Sequence, residues 1–222
     1  MTKKSFKGIV KNGIITFDEN IEIPNGSEVL VTITGKLNTK INSLNLESTE
    51  KQNNPELIKN SGKDLITIYS DGSCLGNPGR GGYAAILIYK KKEKQISGGF
   101  QNTTNNRMEL MAVIKALQEI NSKNRYDIKV YSDSRYIIDS IKKKWLNGWK
   151  ASNWVKKGKI PVPNADLWKL LWEELQKHNI EFFWVESHIG IHYNELCDTL
   201  AKNAASQNNL PIDKGYIDAK KN

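Results

Sequence analysis

Four carboxylates stand where the chain changes character. Asp71 follows an alternating β-branched and aromatic run, residues 65–70, and opens a stretch with five glycines, Gly72, Gly76, Gly79, Gly81 and Gly82. Glu109 lies at the head of an amphipathic segment, Asp133 directly follows the run 127–132, and Asp198 sits near the start of the last amphipathic segment. Singly, each reads as a turn residue or a helix-dipole partner. Together they read differently. In a mixed α/β sheet the carboxyl ends of the parallel strands and the N-termini of the adjoining helices share one edge, where ligands bind. Four carboxylates brought together repel one another unless cations neutralise them. Hard oxygen donors select Mg²⁺ or Mn²⁺ over zinc. Two such ions about 4 Å apart suit in-line displacement at a phosphodiester.

The elements that must position these acids are legible as patterns. Residues 65–70, 83–90 and 94–100 alternate as strands with short connections, an antiparallel meander. The cluster Asn102 to Asn106 reads as a loop and helix cap. Behind it Leu110, Val113, Ile114 and Leu117 form a core-facing helical stripe. A fourth strand, 127–132, precedes a helix with Ile137, Ile138 and Ile141. A helix over 167–177 turns Leu167, Leu170, Leu171 and Leu175 inward, a fifth strand covers 180–185, and the last helix, 194–206, places Cys197, Leu200, Ala201 and Ala204 on one face. Strands joined through helices run parallel. The expected fold is therefore α/β, a mixed five-stranded sheet flanked by helices.

The flanking residues carry a family resemblance. Asp71-Gly72-Ser73-Cys74-Leu75-Gly76-Asn77-Pro78-Gly79, Thr104-Asn105-Asn106-Arg107-Met108-Glu109-Leu110, Ser132-Asp133-Ser134 and Asn194-Glu195-x-x-Asp198-x-x-Ala201 closely resemble type 1 ribonuclease H. The likeness spans about residues 64–206. It implies an endonuclease that hydrolyses the RNA strand of an RNA–DNA hybrid, leaving 3′-hydroxyl and 5′-phosphate ends. By that resemblance Asp71 bridges two ions, Asp198 completes one site, and Glu109 with Asp133 completes the other. The resemblance also implies a loop histidine, His188, followed by Gly190, that moves protons or helps product leave. His178 and His192 are expected at the surface. The chain departs from the family pattern at Ile191-His192-Tyr193, where members often carry His-Pro, and at Arg135, where many carry Gln. Both departures bear on the loop and the groove; the four acids are intact.

A hybrid duplex is read by shape and by its 2′-hydroxyls. Amides both donate to and accept from a hydroxyl, and the family-matched amides are Asn77, Asn105 and Asn106. Asn105 and Asn106 also suit the role of helix cap. The same resemblance gives Thr104 and Asn164 a phosphate of the DNA strand. Lys142, Lys143, Lys144, Lys150, Lys156, Lys157 and Lys159 occur with no acid among residues 142–159, interleaved with Trp145, Trp149 and Trp154. This resembles the family's basic protrusion, in which lysines meet phosphates and at least one tryptophan meets a sugar or base. Trp168, Trp172 and Trp184 read as core.

The formal charge of +9 and a pI near 9.3 favour a polyanionic partner. Lysine-rich composition is the alternative source, and the clustering above decides between them. Two cysteines, Cys74 and Cys197, suit small buried thiols in a reducing compartment. No run approaches membrane-spanning length and no leader pattern is present, so a cytoplasmic location without membrane contact is expected. The domain reading is a small β-module at 1–36, a linker at 37–62, a catalytic domain at 63–207 and a tail at 208–222. The module has an Asn12-Gly13 hairpin signal between Gly8-Ile9-Val10 and Ile14–Phe17, and weakly resembles antitoxin-like β-modules. A module so short buries too little to stand alone, so it is expected to pair with itself as a homodimer. Two other classes stay open at this level. One is a hybrid-binding protein with a lapsed site, disfavoured because no acid is missing. The other is an integrase-like enzyme, disfavoured by the Asn77 and Thr104–Leu110 matches.

Overall fold

The computed structural model describes strands Gly8–Lys11 and Ile14–Phe17, and residues 65–187 and 191–220. The chain divides into two units, Met1–Gln52 and Asn53–Asn222. In the first, β1 (Gly8–Lys11) pairs antiparallel with β2 (Ile14–Phe17), Lys11 opposite Ile14. The rest of the module at 1–36, the linker at 37–62 and His188 lie outside the described residues.

The second unit runs β3 (Leu65–Leu75), β4 (Gly79–Tyr89), β5 (Lys92–Thr103), α1 (Asn105–Gln118), β6 (Asp127–Ser132), α2 (Arg135–Lys142) and α3 (Trp145–Ala151). It continues through a 3-10 turn, Lys157–Lys159, to α4 (Ala165–Leu175), β7 (Asn179–Trp184), α5 (His192–Ala205) and α6 (Lys214–Ala219). The sheet order is β5-β4-β3-β6-β7. β3, β4 and β5 pair antiparallel, whereas β6 lies parallel to both β3 and β7. This is the mixed five-stranded sheet expected from the order of elements.

Two helices press on opposite faces of the sheet. Along β4 the side-chain direction alternates, so Gly81 meets Met108 of α1 and Gly82 meets Ala201 and Ala205 of α5. α1 buries Met108, Leu110, Met111, Val113, Ile114 and Leu117 against Ile66, Ile68, Ile128 and Val130 of the strands. Fully burying each such side chain stabilises by roughly 1.5–3 kcal/mol before chain entropy is counted.

Several expectations are corrected. α4 turns Leu167, Trp168 and Leu171 inward, but Leu170 is 41% exposed. The bulk of Trp168 draws the buried stripe toward itself and leaves Leu170 at its rim. Trp184 is 36% exposed, because it closes the edge strand β7 instead of entering the core. Cys197 is buried as expected, whereas Cys74 is only partly covered.

His178 is buried, not superficial. The turn from α4 into β7 folds it against Tyr126, whose backbone N–H donates to His178 Nδ1 at 3.4 Å. Burial lowers its pKa below the ordinary value, and a protonated Nδ1 has no lone pair for that bond. The folded state therefore binds this proton more weakly than the unfolded one does. Stability is full at neutral pH and is lost as pH falls below about 6.5 toward the lowered folded value. Melts between neutral pH and pH 5 are expected to show this loss. His178→Gln is expected to flatten it, and an unchanged slope would assign the acid sensitivity elsewhere.

Candidate active site

Asp71 does not sit in a turn. The parallel ladder between β3 and β6 ends at Tyr69 and Tyr131, but β3 continues, paired with β4, to Leu75 opposite Arg80. Asp71 lies within that extension, opposite Ala84, just past the carboxyl end of the parallel ladder. Two glycines explain how helices reach it. A Cβ at Gly72 would collide with the backbone of Met108 and Glu109, so its absence seats α1 directly on β3 beside Asp71. A Cβ at Gly82 would collide with the Ala201 carbonyl and the Ala205 nitrogen. That contact seats α5 on the other face, with Asp198 one turn before Ala201. Asp133 follows Ser132, the last residue of β6. Asp71, Glu109, Asp133 and Asp198 are thus brought to one edge of the sheet by four separate elements.

The electrostatics record their convergence. Asp71 is 7% exposed, and its pKa is pushed up to about 8. Burial is the main cause, and the nearby Asp133, Asp198 and Glu109 add to it against the Gly72 N–H, which donates to Asp71 Oδ1 at 2.7 Å. Burial, with help from Asp133, raises Glu109 to about 7. Two donors oppose that rise: the Ser134 hydroxyl, on Oε2, and Asn105 Nδ2, 2.8 Å from Oε1. Lys202 Nζ lies 2.7 Å from Asp198 Oδ2, one helical turn on, and Asp198 raises the lysine's pKa. Asp133 accepts from Ser187 Oγ at 2.6 Å.

Among the described residues, no three His, Cys, Asp or Glu side chains are drawn into a ready-made metal cage. The donor chemistry nonetheless fits a hard divalent cation. The cluster is oxygen-only, and burial together with the neighbouring carboxylates raises the pKa of Asp71 and Glu109, a charge cost that a cation relieves.

The substrate-side residues fall into place unevenly. Asn77 Oδ1 accepts from the backbone N–H of Asn105 at 3.2 Å, and Asn105 reaches Glu109, so Asn77, Asn105 and Glu109 form one chain of contacts. Thr104 occupies the N-cap of α1 without a side-chain cap bond, and Asn105 and Asn106 are the first helical residues, not caps. Asn164 precedes α4 with φ of 59° and donates Nδ2 to Tyr136 OH at 3.2 Å. In the basic segment, Lys144 adopts φ of 58° and breaks the chain between α2 and α3. Lys143 pairs with Asp139 at 2.9 Å and lies 5.1 Å from the ring centre of Trp145. Lys150 is exposed and Trp145 is 45% exposed. Trp149 packs 5.3 Å from Trp168, and Trp154 is 6% exposed within the core. Trp154 therefore braces this segment and is not free to meet a ligand. Ser134, Ser187 and Lys202 were missed by sequence reasoning. Lys202 is signalled by its i, i+4 spacing from Asp198, and Ser134 by its place before a helix; Ser187 carries no local signal.

A mixed sheet of this order, with four acids gathered at the carboxyl edge of its parallel strands, suits acid-held metal chemistry at a phosphodiester. The RNase H family model matches residues 63–206. Ribonuclease H of Tolumonas auensis is 50% identical over 151 residues, which cover 68% of this chain and 96% of that protein. Ribonuclease H of Desulforamulus reducens is 44% identical over 155 residues, covering 70% and 96%. The crystal structure of a type 1 RNase H with the type 2 active-site motif superposes with a TM-score of 0.59 at 30% identity, covering 72% of this chain and 82% of that one. The chain belongs to the ribonuclease H family.

Proposed function

We propose that this chain is an endonuclease that hydrolyses the RNA strand of RNA–DNA hybrids, leaving 3′-hydroxyl and 5′-phosphate ends, with two Mg²⁺ ions that Mn²⁺ can replace. The observation that carries the reading is the convergence of Asp71, Glu109, Asp133 and Asp198 from two strands and two helices. Asp71 would hold both ions, Asp198 one of them, and Glu109 with Asp133 the other. Bound there, the ions supply Lewis-acid stabilisation of charge on the attacking and leaving oxygens. The chain's own residues orient the duplex. Asn77 and Asn105, linked to Glu109, offer amides to the 2′-hydroxyls of the RNA strand, with Asn106 beside them. Thr104 and Asn164 hold a phosphate of the DNA strand. Lys143, Lys144 and Lys150 meet further phosphates, and the exposed Trp145, backed by Trp149, meets a sugar or base. His188 is assigned proton movement or product release.

The domain assignment, 1–36, 37–62 and 63–207, is part of the same reading. The module at 1–36 is assigned self-pairing into a homodimer, on the ground that it is too short to be stable alone. Within the tail at 208–222, residues Lys214–Ala219 form α6, and Asp213 before it bonds Arg107 and Thr103 of the catalytic domain. A cytoplasmic location is supported by the free thiols of Cys74 and Cys197. Among the described residues no helix is long and apolar enough to cross a membrane.

The test is Mg²⁺-dependent cleavage of hybrid, single-stranded RNA and duplex RNA, with hybrid affinity titrated in salt. Cleavage confined to the RNA of the hybrid is expected. Lys144→Ala and Lys150→Ala are each expected to lower the slope of log affinity against log salt by about 0.9, the value for one phosphate contact. Equal cleavage of single-stranded RNA would sink the substrate reading. An unchanged slope would remove these lysines from the interface.

A further inference from the structure

Asp133 is gripped by the end of β7 and the residues after it. Trp184, the last residue of β7, donates its indole Nε1–H to the Asp133 carbonyl oxygen at 3.1 Å. The Arg135 guanidinium lies 3.6 Å from the centre of that indole and holds it in place. Ser187, three residues on, donates its hydroxyl to Asp133 Oδ2 at 2.6 Å, a length in the charge-assisted range. The buried Asn194, early in α5, brings Nδ2 to the same oxygen at 3.5 Å. Both side-chain donors therefore fall on Oδ2. None of these contacts uses Oδ1. A carboxylate fixed through one oxygen loses its rotation and offers the other as a single ligand atom. Ser187 is exposed, so its hydroxyl gains nothing from packing and would otherwise be satisfied by water.

We propose that Ser187 is a positioning residue for Asp133, its hydroxyl fixing Oδ2 so that Oδ1 is presented to a divalent cation. This rests on reading Asp133 as a metal ligand. A purely structural alternative runs the other way, with Asp133 clipping the chain after β7 into place. The two differ in what the hydroxyl controls: metal affinity in the first, stability alone in the second.

The test titrates Mn²⁺ into the full chain by calorimetry, without hybrid, for the native protein, Ser187→Ala, Ser187→Thr and Asp133→Asn. Ser187→Ala is expected to weaken Mn²⁺ binding about 10-fold, as loss of an outer-shell partner does. The Mn²⁺ concentration that half-saturates cleavage should move by the same factor, with KM for hybrid unmoved. Ser187→Thr keeps the hydroxyl and should restore both. Unchanged Mn²⁺ affinity in Ser187→Ala overturns the proposal, and a fall in melting temperature alongside it assigns the structural clip instead. If Asp133→Asn weakens Mn²⁺ binding and Ser187→Ala does not, the positioning role alone falls. If neither does, the ligand reading of Asp133 falls with it.

Discussion

Asp71→Asn is expected to abolish hybrid cleavage and, in chelator, to make the protein more stable. The gain in stability comes from one fact: a carboxylate is held where its charge is costly. Asp71 is 7% exposed. Burial first, then the charges of Asp133, Asp198 and Glu109, push its pKa up to about 8, against about 3.9 in an unfolded chain. The folded state thus binds this proton more tightly than the unfolded state, so this group makes stability fall as pH rises from about 4 to about 8. At pH 7 the pKa difference sets an upper bound near 4 kcal/mol, and relaxation with counterions brings the expected gain from Asn to about 1–3 kcal/mol. Asparagine keeps the side chain's size and still accepts from the Gly72 N–H, so packing changes little. The loss in catalysis follows from removing the carboxylate proposed to hold both ions. Several kcal/mol of transition-state stabilisation corresponds to about 10³-fold in rate or more. Denaturant melts in chelator at pH 5 and pH 7, with product gels in Mg²⁺, check both halves. A mutant less stable in chelator at pH 7 would mean that packing outweighs charge here. Retained cleavage would remove Asp71 from the chemistry.

Each of the four acids was legible in sequence because each follows a local signal, a strand run or a helix head, and their meeting followed from topology. What misled was glycine. Asp71, at the head of the run from Gly72 to Gly82, read singly as a turn residue, because clustered glycine usually marks a turn. Here most of the run is paired strand, and Gly72 and Gly82 are where two helix backbones touch the sheet. A strand glycine and a turn glycine look alike until the partner helix is known. His178 was misread for a related reason. Its neighbours Lys177 and Asn179 are polar and exposed, so the sequence carries no apolar pattern, and the ring packs against Tyr126, distant in sequence. The tryptophans show the same limit. Trp145, Trp149 and Trp154 share one charged segment, yet one is exposed, one half-buried and one buried, because exposure depends on contact with Trp168 and the core.

Asp213→Ala is expected to destabilise this domain more than any other single loss of a charge partner discussed above. The segment after 207 read as a tail, yet it supplies Asp213, a partner of the buried Arg107. Arg107 is buried, with a side chain 2% exposed. Its Nε and Nη2 donate to Asp213 at 2.7 and 2.8 Å, and its Nη1 and Nη2 donate to Asp166 at 2.9 and 2.7 Å. Asp213 also accepts from Thr103 Oγ1 at 2.6 Å and caps α6 through the Tyr216 N–H at 3.1 Å. Burial alone would raise the Asp213 pKa, but the bonds from Arg107 and Thr103 outweigh it and hold the carboxyl below its ordinary value. Its stabilisation is therefore present above the unfolded pKa and is lost as pH falls through the folded one. Removing Asp213 leaves a guanidinium buried with half its partners. Breaking such a pair costs about 3–5 kcal/mol, a large share of the roughly 5–15 kcal/mol that holds a domain together. Asp166, 40% exposed, is screened by solvent, and its loss should cost about 1 kcal/mol or less. Arg107 stands two residues before Glu109 on α1, so loosening it also loosens a proposed metal ligand. Urea midpoints are expected to fall far more for Asp213→Ala than for Asp166→Ala, and truncation after residue 207 should match the first. Equal, small shifts would show that α6 merely rests on the domain and that Arg107 finds water in its place.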